Sequence, residues 1–433
     1  MQYCSIRDRR VKVTFREAVS RGISSDTGLF MPESVPVMET EFFRRLPGMT
    51  LPEIAFEVAA KYIGNEIPPG TLRTICEEAF DFPVEIRKLS GTKEVLELFH
   101  GPTGAFKDFG ARFMAQCIRY FSGNDDRRTV VLVATSGDTG GAIANSFFGM
   151  EGIDVIILYP SGKVSRLQEN QMTTLGQNIT ALEIEGTFDD CQAMAKSAFK
   201  NLETLGKIRL TSANSINIAR LIPQSFYYYY AVSRAGTGRT VISVPSGNFG
   251  NLTGAVMAWK SGLPIEHFVA STNINKAVPE YLTTGVYSPA PSIQTIASAM
   301  DVGNPSNFER MLDMFGSDRD RMASKVSGFW FDDDRIRQHI SDEYERSGYI
   351  LDPHGAVASM GLESYLRDHP DSTGIFAATA HPAKFRDIVE PVIGTTLTVP
   401  GNLKKFLTGR KDSIVMAPNY ACLEEFLKER YSI

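Results

Sequence analysis

The middle of the chain alternates short apolar runs with longer segments of helical periodicity. Residues 129–134 (TVVLVA), 154–159 (DVIILY), 179–184, 207–210, 239–244 and 374–378 read as strands. Between and after them, apolar residues at three- and four-residue spacing predict helices from Val164 and over 188–202, 216–234, 332–347 and 355–367. Ahead of the first strand, Phe106, Phe109, Phe113, Cys117 and Phe121 line one face of another helix. Strands alternating with helices of this length imply βαβ units and an α/β fold with a mostly parallel sheet covered on both faces.

The first hundred residues follow a different pattern. Helical spacing over 14–22, 41–64 and 71–80 is interrupted by Pro47, Pro52 and the pair Pro68-Pro69. Two short runs, 84–89 and 94–99, flank Ser90-Gly91-Thr92 and read as a hairpin. Residues 287–328 are irregular and rich in Pro, Ser and Asn, which suggests an insertion or a connection between lobes. After Pro400, Gly401 and Pro418 comes a last helix over 423–431. No internal repeat or low-complexity linker separates the parts. The expected division is 1–95, mostly helical; 96–235, an α/β lobe; and 236–433, a second α/β lobe, packed closely around one site.

Composition narrows the function. A chain of 433 residues with 43% hydrophobic and 22% charged residues is long enough for two or three folded domains and rules out wholesale disorder. A net charge of -5 with both signs interspersed argues against a nucleic-acid or membrane-surface binder, while leaving room for a local positive pocket and a small anionic substrate. No apolar stretch is long enough to span a bilayer, and the basic start has no apolar segment behind it, so a cytoplasmic location is expected. Cys4, Cys76, Cys117, Cys191 and Cys422 stand far apart and form no C-x-x-C pair, which speaks for buried apolar roles. The spacings of His100, His354 and His381 fit no zinc pattern; turn roles are expected, and no metal.

Ligands of parallel sheets bind at the carboxyl ends of the strands. Three turns occupy such places: Thr135-Ser136-Gly137-Asp138-Thr139-Gly140-Gly141, Ser246-Gly247-Asn248-Phe249-Gly250-Asn251 and Thr379-Ala380-His381-Pro382. The second has the composition of a phosphate cradle, with backbone N–H groups and a helix start facing an anion, although a tight structural turn would look the same. It matches neither a Walker A nor a dinucleotide fingerprint. In the first, Ser136 or Asp138 could cap a helix, or the turn could hold a substrate carboxylate. Lys107 falls in a helix's first turn, where the dipole disfavours a cation. A solvated ion pair with Asp108 or Glu97 is one reading, a Schiff-base lysine the other. A lysine, an anion cradle and a carboxylate loop on one sheet edge together suggest pyridoxal phosphate (PLP).

The segments HGPTGAFKDFGARFM (100–114), TSGDTG (135–140), LYPSGKVS (158–165), SANSINIAR (212–220), SVPSGNFGNLTG (243–254) and TAHPAKF (379–385) resemble those of the threonine synthase family. The opening stretch, with FREAV and DTGLFMPE, is similar too, and the motifs keep their order over almost the whole chain. The likeness is to the bacterial and fungal type. Departures are Gly104, where many members have Leu, and Ile6-Arg7-Asp8 in place of Thr-Arg-Gly.

This resemblance implies a fold type II (tryptophan synthase beta-like) PLP enzyme with two parallel-sheet lobes. It also implies a lyase reaction, conversion of O-phospho-L-homoserine and water to L-threonine and phosphate. Lys107 would be the catalytic, cofactor-bearing lysine. Gly247, Asn248, Phe249, Gly250 and Asn251 would hold the cofactor phosphate, Asp138 would sit near its phenolic oxygen, and Thr379 would meet its pyridine nitrogen. Ser136, Gly137 and Thr139 would take the substrate carboxylate. Lys163, Arg166, Asn217 and Arg220 are candidates for the substrate phosphate, the last two expected to share a helix face. For Lys163 and Arg166, ordinary surface pairing is an equal alternative. A phospho-lyase giving 2-oxobutanoate, a dehydratase or a non-enzymatic binding module would share parts of this pattern. A monomer or homodimer is expected. Tyr227-Tyr228-Tyr229-Tyr230 lies on an apolar helix, so at least two should pack in the core.

Overall fold

A computed structural model describes residues 1–123, 127–201, 208–235 and 239–432. Leu202 and Lys207, at the ends of an expected helix and strand, lie outside these residues, as does the expected boundary at 236.

Near the start, β1 (Tyr3–Ser5), β2 (Lys12–Val13) and β3 (Phe30–Pro32) form a small antiparallel sheet with β1 in the middle. Strands of two or three residues are too short to show alternation, so periodicity does not reveal them. Helices Phe15–Arg21, Leu51–Ile63 and Pro69–Ala79 form where their spacing predicts. Thr14 with Glu17, and Thr50 with Glu53, make capping boxes that start the first two. The expected helix over 41–64 is two, Thr40–Arg45 and Leu51–Ile63, because the chain turns at Pro47.

The remaining strands are β4 (Glu85–Ser90), β5 (Lys93–Glu97), β6 (Thr129–Ala134), β7 (Ile153–Pro160), β8 (Ile179–Ile184), β9 (Arg209–Ser212), β10 (Arg239–Pro245), β11 (His267–Thr272), β12 (Val326–Trp330), β13 (Ser372–Ala378) and β14 (Ile414–Met416). Two sheets result. One has the order β12-β11-β10-β13-β5-β4 and is parallel except for the β4–β5 hairpin at its edge. The other, β14-β8-β7-β6-β9, is wholly parallel. Every residue of β6 and β7 is buried, as helices on both faces require.

The sheets are not contiguous in sequence. β4 and β5 precede the five-stranded sheet yet pair into the six-stranded one, and β14 returns from the far end to the five-stranded one. Limits at 95/96 and 235/236 therefore cut across both sheets: strand pairing, not chain order, makes the lobes. The expected helix over 216–234 is likewise interrupted. Ile218–Leu221 and Phe226–Arg234 are joined by a tighter turn at Ile222–Ser225, where Pro223 cannot donate a backbone hydrogen bond. Among the described residues, no helix is long and apolar enough to cross a membrane.

Candidate active site

The carboxyl ends of β6, β10 and β13 open onto one pocket. Its walls include Lys107, Ser136, Asp138, Thr139, Arg220, the turn Gly247-Asn248-Phe249-Gly250-Asn251, and Thr379. Most of the expected site is thus assembled from segments more than 270 residues apart (Lys107 to Thr379).

Lys107 is the first residue of the helix Lys107–Ser122. The loop before it is zipped to the end of β13: Phe106 N donates to Thr379 O (2.9 Å), His381 N to Gly104 O (3.0 Å), and Ala105 bridges Ala380. These bonds carry the lysine to Thr379. Gly104 sits at φ +68°, a left-handed conformation that the glycine at this departure from the family pattern adopts without strain. Burial lowers the proton affinity of the Lys107 amine; Asp138 raises it in part, while Lys384 and Arg220 lower it further. The amine lies 3.8 Å from Asp138 Oδ2.

In the 135–141 turn, Thr135 takes the structural work. Its Oγ1 accepts from Gly137 N and Gly140 N, both at 2.9 Å. Neither Ser136 nor Asp138 caps the helix Asp138–Phe147, whose N-cap is Gly137. Ser136 and Thr139 are half-buried on the pocket wall. Gly137 has φ +134°, and a Cβ there would come within 2.6 Å of the Gln168 side chain. That close approach lets Gln168 Nε2 reach Asp138 Oδ1 at 2.9 Å. Burial opposes ionisation of Asp138, but Lys384 and then Lys107 outweigh it and hold the carboxyl well below its ordinary range.

The 246–251 turn ends in the helix Gly250–Lys260, whose amino end points at the pocket. Its N-cap, Phe249, adopts φ +60°, which a bulky side chain takes only when its surroundings enforce it. A Cβ on Gly247 would lie 2.6 Å from Ala299 O and 2.9 Å from Met300 Cα. Asn251 Oδ1 accepts from both Tyr227 and Tyr228 at 2.6 Å, and its buried Nδ2 has no partner among the described residues. A free amide donor, a helix start and a backbone turn converge there, which is the donor set that suits an anion. With a half-buried amine across the pocket, this donor set fits a group carrying one phosphate and one amine-reactive carbonyl, as PLP does.

Three expected substrate residues are not part of this arrangement. Lys163 and Arg166 are exposed and do not line the pocket. Asn217 is fully buried and spends its amide on the backbone, donating to Val19 O (2.9 Å) and Ser212 O (3.0 Å) and accepting from Ala219 N (3.0 Å). It does not share a helix face with Arg220, because it is the extended N-cap residue of Ile218–Leu221 and helical spacing does not apply to it. Arg220 does reach the pocket. Its Nη1 donates to Ala213 O, its Nε is buried without a partner among the described residues, and burial lowers its pKa to about 10. Gly110 makes room for it: a Cβ there would meet Arg220 O at 2.8 Å and Nε at 3.0 Å.

Other residues in the pocket wall, and Lys384 behind it, escape sequence reasoning. Asn214 and Ser215 lie within the quoted SANSINIAR segment and line the wall beside Arg220. Lys384, within TAHPAKF, is buried, with Nζ 2.6 Å from Asp138 Oδ1. His354 also faces the pocket; its Nδ1 lies 2.6 Å from Asp352 and its Nε2 accepts from Ala299 N.

The two paired sheets, with a half-buried lysine facing a glycine-rich turn and helix start across one pocket, have the arrangement of a PLP-dependent enzyme of fold type II. Residues 90–375 match the family model for pyridoxal-phosphate dependent enzymes, residues 2–80 that for the threonine synthase N terminus, and residues 355–427 that for the threonine synthase C-terminal region. The chain is 43% identical over 408 residues to a threonine synthase of Haemophilus influenzae, covering 94% of each, and 41% identical over 406 residues to that of Escherichia coli, covering 93% of this chain and 94% of the relative. Crystal structures of threonine synthase from Escherichia coli (TM-score 0.93, 38% identity, 99% and 100% of the two chains) and, with PLP bound, from Brucella melitensis (TM-score 0.92, 32% identity, 100% of both) share its fold. The chain belongs to the threonine synthase family, and its activity is the last step of threonine biosynthesis.

Proposed function

We propose that Lys107 is the residue on which catalysis turns, in the conversion of O-phospho-L-homoserine and water to L-threonine and phosphate. The observation that carries this reading is a half-buried lysine amine facing, across one pocket, a helix start and an unpartnered amide donor. Bound PLP supplies an electron sink conjugated with the substrate Cα. The turn 247–251 would hold its phosphate, and Thr379 would offer a neutral hydroxyl to its ring nitrogen.

The chain's own groups do the rest. The Lys107 amine, which its lowered proton affinity helps keep unprotonated, would take the proton from Cα, give it up to the electron sink, and only then take one from Cβ, which it could return to Cγ once the phosphate has left. Ser136 and Thr139, with the start of the helix Asp138–Phe147, receive the substrate carboxylate. Arg220, with Asn214 and Ser215 beside it, receives the substrate phosphate and holds it as it leaves Cγ; a guanidinium fork suits that group. The test is product analysis. Holoenzyme given O-phospho-L-homoserine should release threonine in step with phosphate, and Lys107→Ala should abolish both. Phosphate with 2-oxobutanoate instead of threonine would assign the pocket to a phospho-lyase.

A further inference from the structure

We propose that Lys384 is a positioning residue for this reaction: it is the close counter-ion of Asp138 and keeps the Lys107 amine from a direct hydrogen bond to that carboxylate. This rests on the reading of Lys107 given above.

The geometry divides the two oxygens of Asp138 between different partners. Oδ1 is held by Lys384 Nζ at 2.6 Å and by Gln168 Nε2 at 2.9 Å. Oδ2 has the Lys107 amine at 3.8 Å, beyond hydrogen-bonding distance. Lys384 cannot drift from this post. Its side chain is wholly buried, and a second N–H donates to Thr103 O at 3.0 Å. Its backbone sits in the turn Pro382–Phe385, capped by His381, whose Nδ1 accepts from Ala383 N. A buried carboxylate between two lysines will pair with whichever ammonium is fixed nearest, and that is Lys384.

Other charged or titratable groups facing Lys107 are few. Asp108, its chain neighbour, is turned away to Thr103, whose N and Oγ1 donate to it at 2.9 and 2.6 Å. Arg220 adds a second like charge, and His354 shares the pocket wall with its Nδ1 bound to Asp352. Lys384 thus acts on Lys107 in two ways of the same sign. It repels a proton on the amine directly, and it competes for the Asp138 carboxylate, which is left to stabilise that proton only in part.

A purely structural strut would leave Lys107 indifferent to the charge at 384, and this separates the two roles. In the cofactor-free enzyme, reductive methylation of Lys107 followed across pH by peptide mass spectrometry reports the amine's titration midpoint. Lys384→Gln and Lys384→Met should move that midpoint up by about one pH unit, a roughly tenfold loss of reactivity at a fixed lower pH. Lys384→Arg, which keeps the charge, should stay near the parent. In the holoenzyme the spectrophotometric pH titration of bound PLP should shift in Lys384→Gln and be rescued in Lys384→Arg. An unchanged Lys107 midpoint in Lys384→Gln overturns the proposal.

If neither neutral variant folds, the Asp138→Asn background decides. With the carboxylate gone the amine faces Lys384 alone, so removing that charge as well, in Asp138→Asn/Lys384→Gln, should raise the midpoint above that of Asp138→Asn; equal midpoints in the two overturn the proposal. Failure of the underlying reading looks different: Lys107→Ala would still make threonine, whatever the methylation profile.

Discussion

Tyr228 donates its phenolic hydrogen to Asn251 Oδ1 at 2.6 Å, and Tyr227 does the same at 2.6 Å. An amide gripped twice through its oxygen must present its nitrogen elsewhere, and Asn251 Nδ2 is the buried, unpartnered donor at the start of the helix Gly250–Lys260. The first two tyrosines of the quartet thus stand behind the anion site without lining the pocket. Each hydroxyl should contribute about 0.5–1.5 kcal/mol to the orientation of Asn251. Tyr227→Phe or Tyr228→Phe should therefore weaken PLP binding by about two- to tenfold, and the double variant by more than either alone, because the amide is then free to turn. Equilibrium binding of PLP to the three cofactor-free variants checks this; affinities equal to the parent would remove the tyrosines from the site.

Gly247 is a sterner test of the same cradle. A Cβ there would fall 2.6 Å from Ala299 O and 2.9 Å from Met300 Cα, both backbone atoms that no side-chain rotation relieves. Gly247→Ala should push the 298–300 segment away and loosen the turn, at a cost of about 1–3 kcal/mol. The expected outcome is PLP affinity reduced by tenfold or so, with the thermal midpoint of the cofactor-free protein lowered only slightly, since the strain falls on the cradle. Binding titration and differential scanning calorimetry on the same preparation separate the two effects.

Legibility in the sequence differed between elements for physical reasons. β6 lies within its expected residues because a strand buried on both faces is a nearly continuous apolar run. β11 (HFVAST), β12 and β14 carry too few consecutive apolar residues to stand out, although they complete the sheets. At the site, Lys107 and the glycine turns were legible because each combines an unusual residue with a strand-to-helix position. Lys384 was not. Nothing in a lysine's surroundings in sequence shows that the 379–385 turn will fold onto Thr103 and Asp138 and bury it. Asn217 misled for the opposite reason: a spacing of three suggested a shared face, but the residue lies outside the helix it caps.

Arg220 and Asn217 can be told apart by what their removal changes. Asn217 satisfies Val19 O, Ser212 O and Ala219 N, all backbone. Asn217→Ala should lower stability by about 1–2 kcal/mol through the lost cap and leave the Michaelis constant of the folded enzyme nearly unchanged. Arg220→Lys keeps a charge but loses the planar fork, so the Michaelis constant for O-phospho-L-homoserine should rise by tenfold or more, about 1.4 kcal/mol, while PLP stays bound. Inorganic phosphate should weaken as an inhibitor in parallel. An unchanged Michaelis constant in Arg220→Lys would remove Arg220 from the substrate phosphate.

Acid sensitivity should be traceable to a histidine far from the pocket. His267 opens β11, stacks on Tyr365 (ring centroids 4.6 Å apart) and lies 2.9 Å from Ser327 Oγ through Nε2. Burial, then the neighbouring Lys325 and His369, lower its pKa from 6.5 to about 4. Above about pH 6.5 the ring is neutral in both folded and unfolded chains and contributes nothing. As pH falls below that, the unfolded chain takes up a proton that the folded ring refuses, so stability declines. The loss levels off near pH 4, at no more than about 3 kcal/mol for this one group. His267→Gln, which keeps a hydrogen-bonding side chain but cannot titrate, should flatten the fall in urea midpoint between pH 7 and pH 4. It should not abolish it, because burial also lowers the pKa of His381 to about 4. Midpoints of parent and variant that fall in parallel over this range would show that His267 titrates in the folded chain as it does in the unfolded one.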